Sequence, residues 1–445
     1  MKEVLTTKRG RKIIYVLSIG LFLVTVMLIS NIASTNKTLE RIKENAREEV
    51  EKTLISTGLA TYTKDIEDNV GVDPVSVHNE NLPENTTETP QDIGTVVAPK
   101  ENWNIETVTA ISLGNGETVP VPIGFYYVGG DLNTGVIISD NEEDQYDGKI
   151  DKTTWEYTTN LKGNQFVWIP CAEEEYKKCE VWNGTTQSHT ILAYGGWDKT
   201  TYTSELPQIR KYEGFYVARY EAGLAETIPE FTQTQQQTGS NQIYNKEGIP
   251  QSRAGQVPWN FIDWTTSQKN AKSMYNTNSV SSGLITGTQW DVMLKRIVEK
   301  TDLTEADLTN SANWGNYTNN SIEYKGRMAR GWYSNSWYLG VFGGETEGKT
   351  SNYSSNDGDL LTTGASKQTE KYHIYDVAGS LWEWTDESSF YKAGNINETN
   401  IQYHVRRGGS FLNVYSTFPA CYRHGVSHAT STELDIGFRI TLYIK

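Results

Sequence analysis

Arg406 to Arg439 reads RRGGSFLNVYSTFPACYRHGVSHATSTELDIGFR, and this stretch decides the fold. Two well-defined ends, Arg407-Gly408-Gly409-Ser410-Phe411 and Gly437-Phe438-Arg439, bracket a segment of mixed character. Paired glycines permit φ > 0 and close backbone approach, so RGGSF predicts a strand entering a tight turn. From Gly437 to Lys445 the chain alternates and is rich in β-branched and aromatic residues, which predicts a closing strand. Between these ends Tyr, Phe, His, Ser, Thr and Asn follow neither the helical nor the strand period. That predicts a long loop held at both ends by strands, the usual place for a site.

The rest of the chain leads up to this loop. With 445 residues it exceeds one typical domain. Its hydrophobic content of 37% and mean hydropathy of −0.56 are those of a water-soluble chain with one exception. The exception is Ile13 to Ser30, IIYVLSIGLFLVTVMLIS, a run without a charge that Asn31-Ile32-Ala33 can extend across a bilayer. Lys2, Lys8, Arg9, Arg11 and Lys12 precede it, which predicts a cytoplasmic N-terminus and an exported remainder. The run is longer than the apolar region of a cleaved signal peptide and lacks a small-x-small site, so an uncleaved single-pass anchor is expected.

Residues 34–56 follow as a juxtamembrane helix. Leu39, Ile42, Ala46, Val50 and Leu54 share one face, with Glu44–Arg47 and Glu48–Lys52 as surface pairs. A stalk of this length leaves stalk-mediated oligomers open. Residues 57–105 are polar and acidic, a self-repelling disordered spacer. Much of the net charge of −15 sits there, and no basic footprint for nucleic acid exists. Residues 106–162 give strand signals with Asn115-Gly116 as a hairpin turn, a small β-rich region.

From residue 163 to 445 the main domain is expected. Phe166–Pro170 and Gly214–Glu221 read as strands. Thr265 or Thr266 can cap a helix running to Met274, and Thr286 or Thr288 a second one in which Trp290, Leu294, Ile297 and Val298 share a face. Asn310 to Gly364 is Gly-, Asn-, Ser- and Trp-rich with little period, so irregular structure is expected. Cys171 and Cys179 are close enough in sequence for a disulfide in an oxidising compartment. Three free thiols, including Cys421, is the equal alternative.

Five ordered pieces, FVWIP, GFYVARYEAG, VPWNFIDWTTSQKNAKSMY, LITGTQWDVMLKRI and IYDVAGSLWEWT, precede RGGSF and GFR. In this order the chain resembles the formylglycine-generating enzyme, or sulfatase-modifying factor, family over about Gly163 to Ile444. The resemblance implies an α+β, C-type-lectin-like domain with much irregular structure, here behind one transmembrane helix and a stalk. It implies a structural calcium ion at Asp376, Gly379, Leu381 and Glu383. In the family motif the outer two positions give side-chain oxygens and the inner two carbonyls, a mixture Ca²⁺ accepts.

The family's enzymes oxidise a substrate cysteine with copper held by two thiolates, a choice that suits Cu(I). Those positions correspond here to Asn413 and Phe418, so copper is not expected. A second branch uses non-haem iron held by His-x-x-x-His-x-Glu. His424 and His428 have the first spacing without the glutamate, so iron is not expected either. The remaining expectation is a binding loop like those of retroelement-diversified variable proteins, whose variable stretch lies between GGS[FW] and GFR. Its contact residues would be Asn413, Val414, Tyr415, Ser416, Thr417, Phe418, Tyr422, His424, Val426, Ser427 and His428, a composition suited to adaptable contacts. The partner would be an extracellular protein or glycan. The competing reading is an enzyme of the formylglycine-generating or iron-oxidase kind.

Overall fold

Phe166-Val167-Trp168-Ile169 and Phe215-Tyr216-Val217-Ala218 carry no polar residue to turn toward water, and the computed structural model shows why. Phe166, Trp168, Tyr216 and Ala218 enter one apolar core, while Val167, Ile169, Phe215 and Val217 enter a second. Alternate residues of a strand point to opposite faces, so a sheet covered on both faces needs an unbroken apolar run. The structure describes residues 93–445 apart from 115, 145–162, 180, 184–185, 189–204, 225–244, 334–335, 350–357 and 392–400. The expected basic tail, anchor and stalk, and residues 57–92 of the spacer, lie outside the described residues, whereas 93–105, also expected to be disordered, carry the paired strand Val96–Val97 and the buried Trp103. Among those described, no helix is long and apolar enough to cross a membrane.

The first strands are β1 (Val96–Val97), β2 (Val108–Gly114) and β3 (Glu117–Pro122), a three-stranded sheet in which Gly114 pairs with Glu117 across the expected two-residue turn. Next come β4 (Tyr126–Gly129), β5 (Ile137–Ser139) and β6 (Gln165–Pro170). Helix α1 (Glu173–Lys178), the hairpin β7 (Val181–Asn183) and β8 (Thr186–Ser188), and α2 (Leu206–Tyr212) lead to β9 (Gly214–Ala218). Then follow α3 (Trp264–Ser273), β10 (Val280–Leu284), α4 (Gly287–Lys300) and α5 (Glu305–Thr309). The chain closes with β11 (Glu323–Tyr333), β12 (Ser336–Lys349), β13 (Leu360–Leu361), β14 (Trp382–Tyr391), β15 (Ile401–Arg407), β16 (Arg423–Ser427), β17 (Ile436–Phe438) and β18 (Ile440–Ile444).

The central sheet has the order β10-β18-β9-β6-β5-β4. Strands β4 and β5 therefore belong to it, and the expected boundary at 163 does not divide the fold. The described strands on both sides of 163 fall in one compact unit. Both predicted helices form. Asp263 rather than a threonine caps α3, its carboxylate accepting from the Thr266 amide at 2.7 Å. Thr286 caps α4 in a reciprocal box with Gln289, which satisfies two otherwise orphaned donors. Trp290, Met293, Leu294 and Ile297 of α4 then enter the second core. The segment expected to be irregular contains the long hairpin β11–β12. Its glycines interrupt the alternation that would have marked it, and its pairing register shifts twice.

A four-stranded sheet, β16-β15-β14-β17, carries the two motif ends. Strand β14 pairs antiparallel with β15 and parallel with β17. The closing strand is broken in two at Arg439, so β17 lies in this sheet and β18 in the central one. Arg439 is the joint. Its guanidinium donates to both oxygens of Glu383, to Ala218 O at 3.1 Å and to Tyr375 O at 2.9 Å.

Candidate functional site

Gly408 and Gly409 turn the chain out of β15 with φ of 91° and 73°. A Cβ on Gly409 would stand 2.1 Å from Phe418 O, so only glycine lets the loop return this close. The Ser410 hydroxyl lies 2.7 Å from Asp435 Oδ2 and 3.0 Å from Asn413 Oδ1, and the Ser410 amide donates to the same Asn413 oxygen. The start and end of the loop are thereby tied across 25 residues of sequence. Burial pushes the Asp435 carboxyl above its ordinary range, the Ser410 hydroxyl working against it.

Within this frame the predicted contact residues separate into three groups. Ser416 and Thr417 at the loop tip and His428 after β16 are exposed. Val414 and Tyr415 are half-buried, Tyr415 edge-on to the buried Tyr317 with ring centroids 6.5 Å apart. Phe418, Tyr422 and His424 surround the indole of Trp382 at 5.5, 6.0 and 5.7 Å. Asn413 is committed to the frame, and Ser427 is buried with its hydroxyl 3.2 Å from His424 Nδ1. The side chain of Val426 lies outside the described residues. Arg423 to Ser427 form β16 rather than loop, paired with β15 through His424 opposite Arg406.

Trp382 and Arg406 were not among the predicted contacts. The Arg406 guanidinium lies over the Trp382 ring at 5.1 Å and reaches Glu433 at 3.3 Å. Next to it, burial first and then the Arg406 charge push the His424 imidazole down to about 4, so it is neutral at ordinary pH. Strand parity could have separated the two neighbouring arginines. Arg406 shows an outer edge, while Arg407 is fully buried against Asp291 at 2.5 Å. Arg423, between Tyr422 and His424, likewise pairs inward with Glu387.

The positions that would hold copper thiolates carry an amide fixed to Ser410 and a phenyl ring packed on Trp382. Cys421 is fully buried and lies in the second core, its thiol pushed up to about 12 by burial. Cys171 and Cys179 are free thiols, so the disulfide expectation gives way to its alternative. His424 and His428 are four residues apart along extended chain, about 13 Å at strand rise, too far for one ion. Among the described residues no group of three or more His, Cys, Asp or Glu side chains is arranged to hold a metal.

The calcium set does not fit its cation as placed. Both Glu383 oxygens are engaged by Arg439, and the Asp376 oxygens accept from the Gly364 amide and the Thr369 hydroxyl. The contacts of the inner two positions are made by their amides rather than by the carbonyls the motif would use, Gly379 donating to Gly408 O at 2.9 Å and Leu381 to Glu221, so the misfit lies at the two carboxylates. A guanidinium supplies the positive charge at the motif's glutamate. Glu221 and Asp376 nearby are held above their ordinary range, in each case chiefly by burial.

No curated protein matches the chain. Among solved structures, CarF is 12% identical, with 52% of this chain and 87% of CarF covered and a TM-score of 0.26. The Major Tropism Determinant M1 variant is also 12% identical, covering 79% of this chain and 84% of its own, with a TM-score of 0.24. The sequence match is the firmer finding. The sulfatase-modifying factor enzyme 1-like domain aligns with residues 183–444, which take in β9, both long helices, the β14 motif and the whole RGGSF-to-GFR frame, and the chain belongs to that FGE-sulfatase family.

Proposed function

We propose that the chain is a surface-displayed ligand-binding protein that uses the 413–435 segment on a family scaffold and performs no oxidation. One observation carries this reading. The segment is clamped at its base by Ser410–Asp435 and Gly409, while Ser416, Thr417 and His428 face solvent and Asn413 and Phe418 are committed to the frame. Loops with rigid ends and adaptable tips suit recognition of a protein or glycan. Attachment through residues 13–33 and a spacer would hold the domain away from the membrane. Diversification by a retroelement is the finer form of the proposal. It expects a near-copy of the 410–436 codons beside a reverse-transcriptase gene.

Family membership favours the competing enzyme reading, and a single pair of assays separates the two. Purified protein incubated with Cu(I) and a cysteine-containing sulfatase-type peptide should give no formylglycine by mass spectrometry. On an array of extracellular proteins and glycans it should give a binder whose signal falls at least about tenfold on Thr417→Arg, a bulky charge at the tip. Turnover of the peptide would overturn the binding reading. So would array signals that are identical for the parent and Thr417→Arg.

A further inference from the structure

On the helical side of the molecule a cleft of about 680 Å³ opens between α1, α4 and α5, and none of its walls belongs to the loop site. Glu174, Glu175, Asp291, Glu299 and Glu305 line it against two lysines, a formal charge of −3. Asp291 lines this cleft and is only 1% exposed. Its Oδ1 accepts from Arg407, while Oδ2 meets no donor among the described residues. A buried carboxylate oxygen without a donor is costly and rare in folded proteins. Val298 and Leu308 supply apolar wall beside it.

Arg407 already answers the charge at the Asp291 end, so what Oδ2 lacks is an N–H or O–H donor. Of the other lining acids, Glu174, Glu175 and Glu299 already pair with Lys178, Lys295 and Arg296 at 3.5, 2.7 and 3.1 Å, so the exposed Glu305 is where the cleft still calls for positive charge. A compact ammonium on an aliphatic stem meets both demands, with its three donors free to diverge. A guanidinium presents a planar fork that is best matched by both oxygens of one carboxylate, and Asp291 has only one to offer. We propose that this cleft binds an aliphatic primary ammonium, supplied either as a free amine or as the lysine side chain of a partner protein.

The test is calorimetric titration of the full chain at about 0.15 M ionic strength with pentylamine, with acetyl-Gly-Lys-Gly-amide, and with 1-pentanol as the neutral analogue. At least one of the two amines should bind with one saturable site while 1-pentanol does not. Pentylamine alone marks a free amine as the ligand, and the peptide alone marks a lysine side chain. The exposed Glu305 allows a variant that folds. Glu305→Lys should weaken binding about tenfold, since it places a like charge at the cleft. Glu117→Lys, an equal charge change on β3 outside the cleft, should leave the dissociation constant within about twofold, as expected of a remote exposed charge in salt. The proposal is overturned if neither amine saturates, if 1-pentanol binds as well, or if Glu117→Lys weakens binding as much as Glu305→Lys.

Discussion

Glu383 is fully buried, and both of its oxygens accept from Arg439, itself without exposed surface. Removing one partner of a buried pair leaves the other charge uncompensated, which costs about 3–5 kcal/mol. Glu383→Ala should therefore lower unfolding stability by that amount in urea titrations, in chelator and in calcium alike. A loss confined to calcium-containing buffer would restore the calcium reading of Asp376, Gly379, Leu381 and Glu383. The motif's spacing was legible in the sequence, but its partner was not. Arg439 is 56 residues from Glu383, and only the fold shows that a guanidinium reaches both of its oxygens.

At the scale of the loop, stability and recognition separate along the chain. Thr417 is exposed at the tip, and Thr417→Ala should change stability by no more than about 0.5 kcal/mol. Phe418, one position on, packs on Trp382 and Tyr422 at 5.5 and 4.9 Å. Truncating a buried phenyl costs about 3–5 kcal/mol, and this half-buried ring should lose about 2 kcal/mol in Phe418→Ala. Equal melting temperatures for the two variants would show that the aromatic floor is not packed as described. Composition and the glycine ends marked this segment as a loop. They did not mark β16, because Arg423 to Ser427 carries Gly425 and polar residues whose inward partners, such as Glu387, come from another strand.

The molecule as a whole buries several carboxyl groups, and their pH dependence is a property of the entire fold. Burial pushes Glu205 up to about 7, with Tyr176 and Thr286 as hydrogen-bond partners that oppose the shift. Its folded pKa lies above its unfolded one, so the folded state holds the proton more tightly. Stability from this group is present below pH 4.5 and is lost as pH rises toward 7, by about 3 kcal/mol for a shift of this size. His404 and His424, both pushed down to about 4, act in the opposite direction between about pH 4 and 6.5, so the bare profile of the parent mixes the two. Glu205→Gln removes one term cleanly. Relative to the parent it should gain about 3 kcal/mol between pH 5 and pH 8 in denaturant titrations. A parent-to-variant difference that stays constant across that range would contradict the buried position of Glu205.

Local chemistry alone determined the strands at Phe166–Pro170 and Gly214–Ala218, the helix capped by Thr286, the β2–β3 hairpin, and the glycine turn into the loop. Each of these depends on neighbours within a few residues: an apolar run, a capping side chain, a turn dipeptide, a pair without Cβ atoms. Tertiary structure alone decided three other features. It placed β4 and β5 in the central sheet, split the closing strand at Arg439, and assigned the charged side chains their partners. Those outcomes depend on pairings between residues far apart in the chain. A buried charge is settled by whichever opposite charge the fold brings within hydrogen-bond reach, and no local pattern encodes that distance.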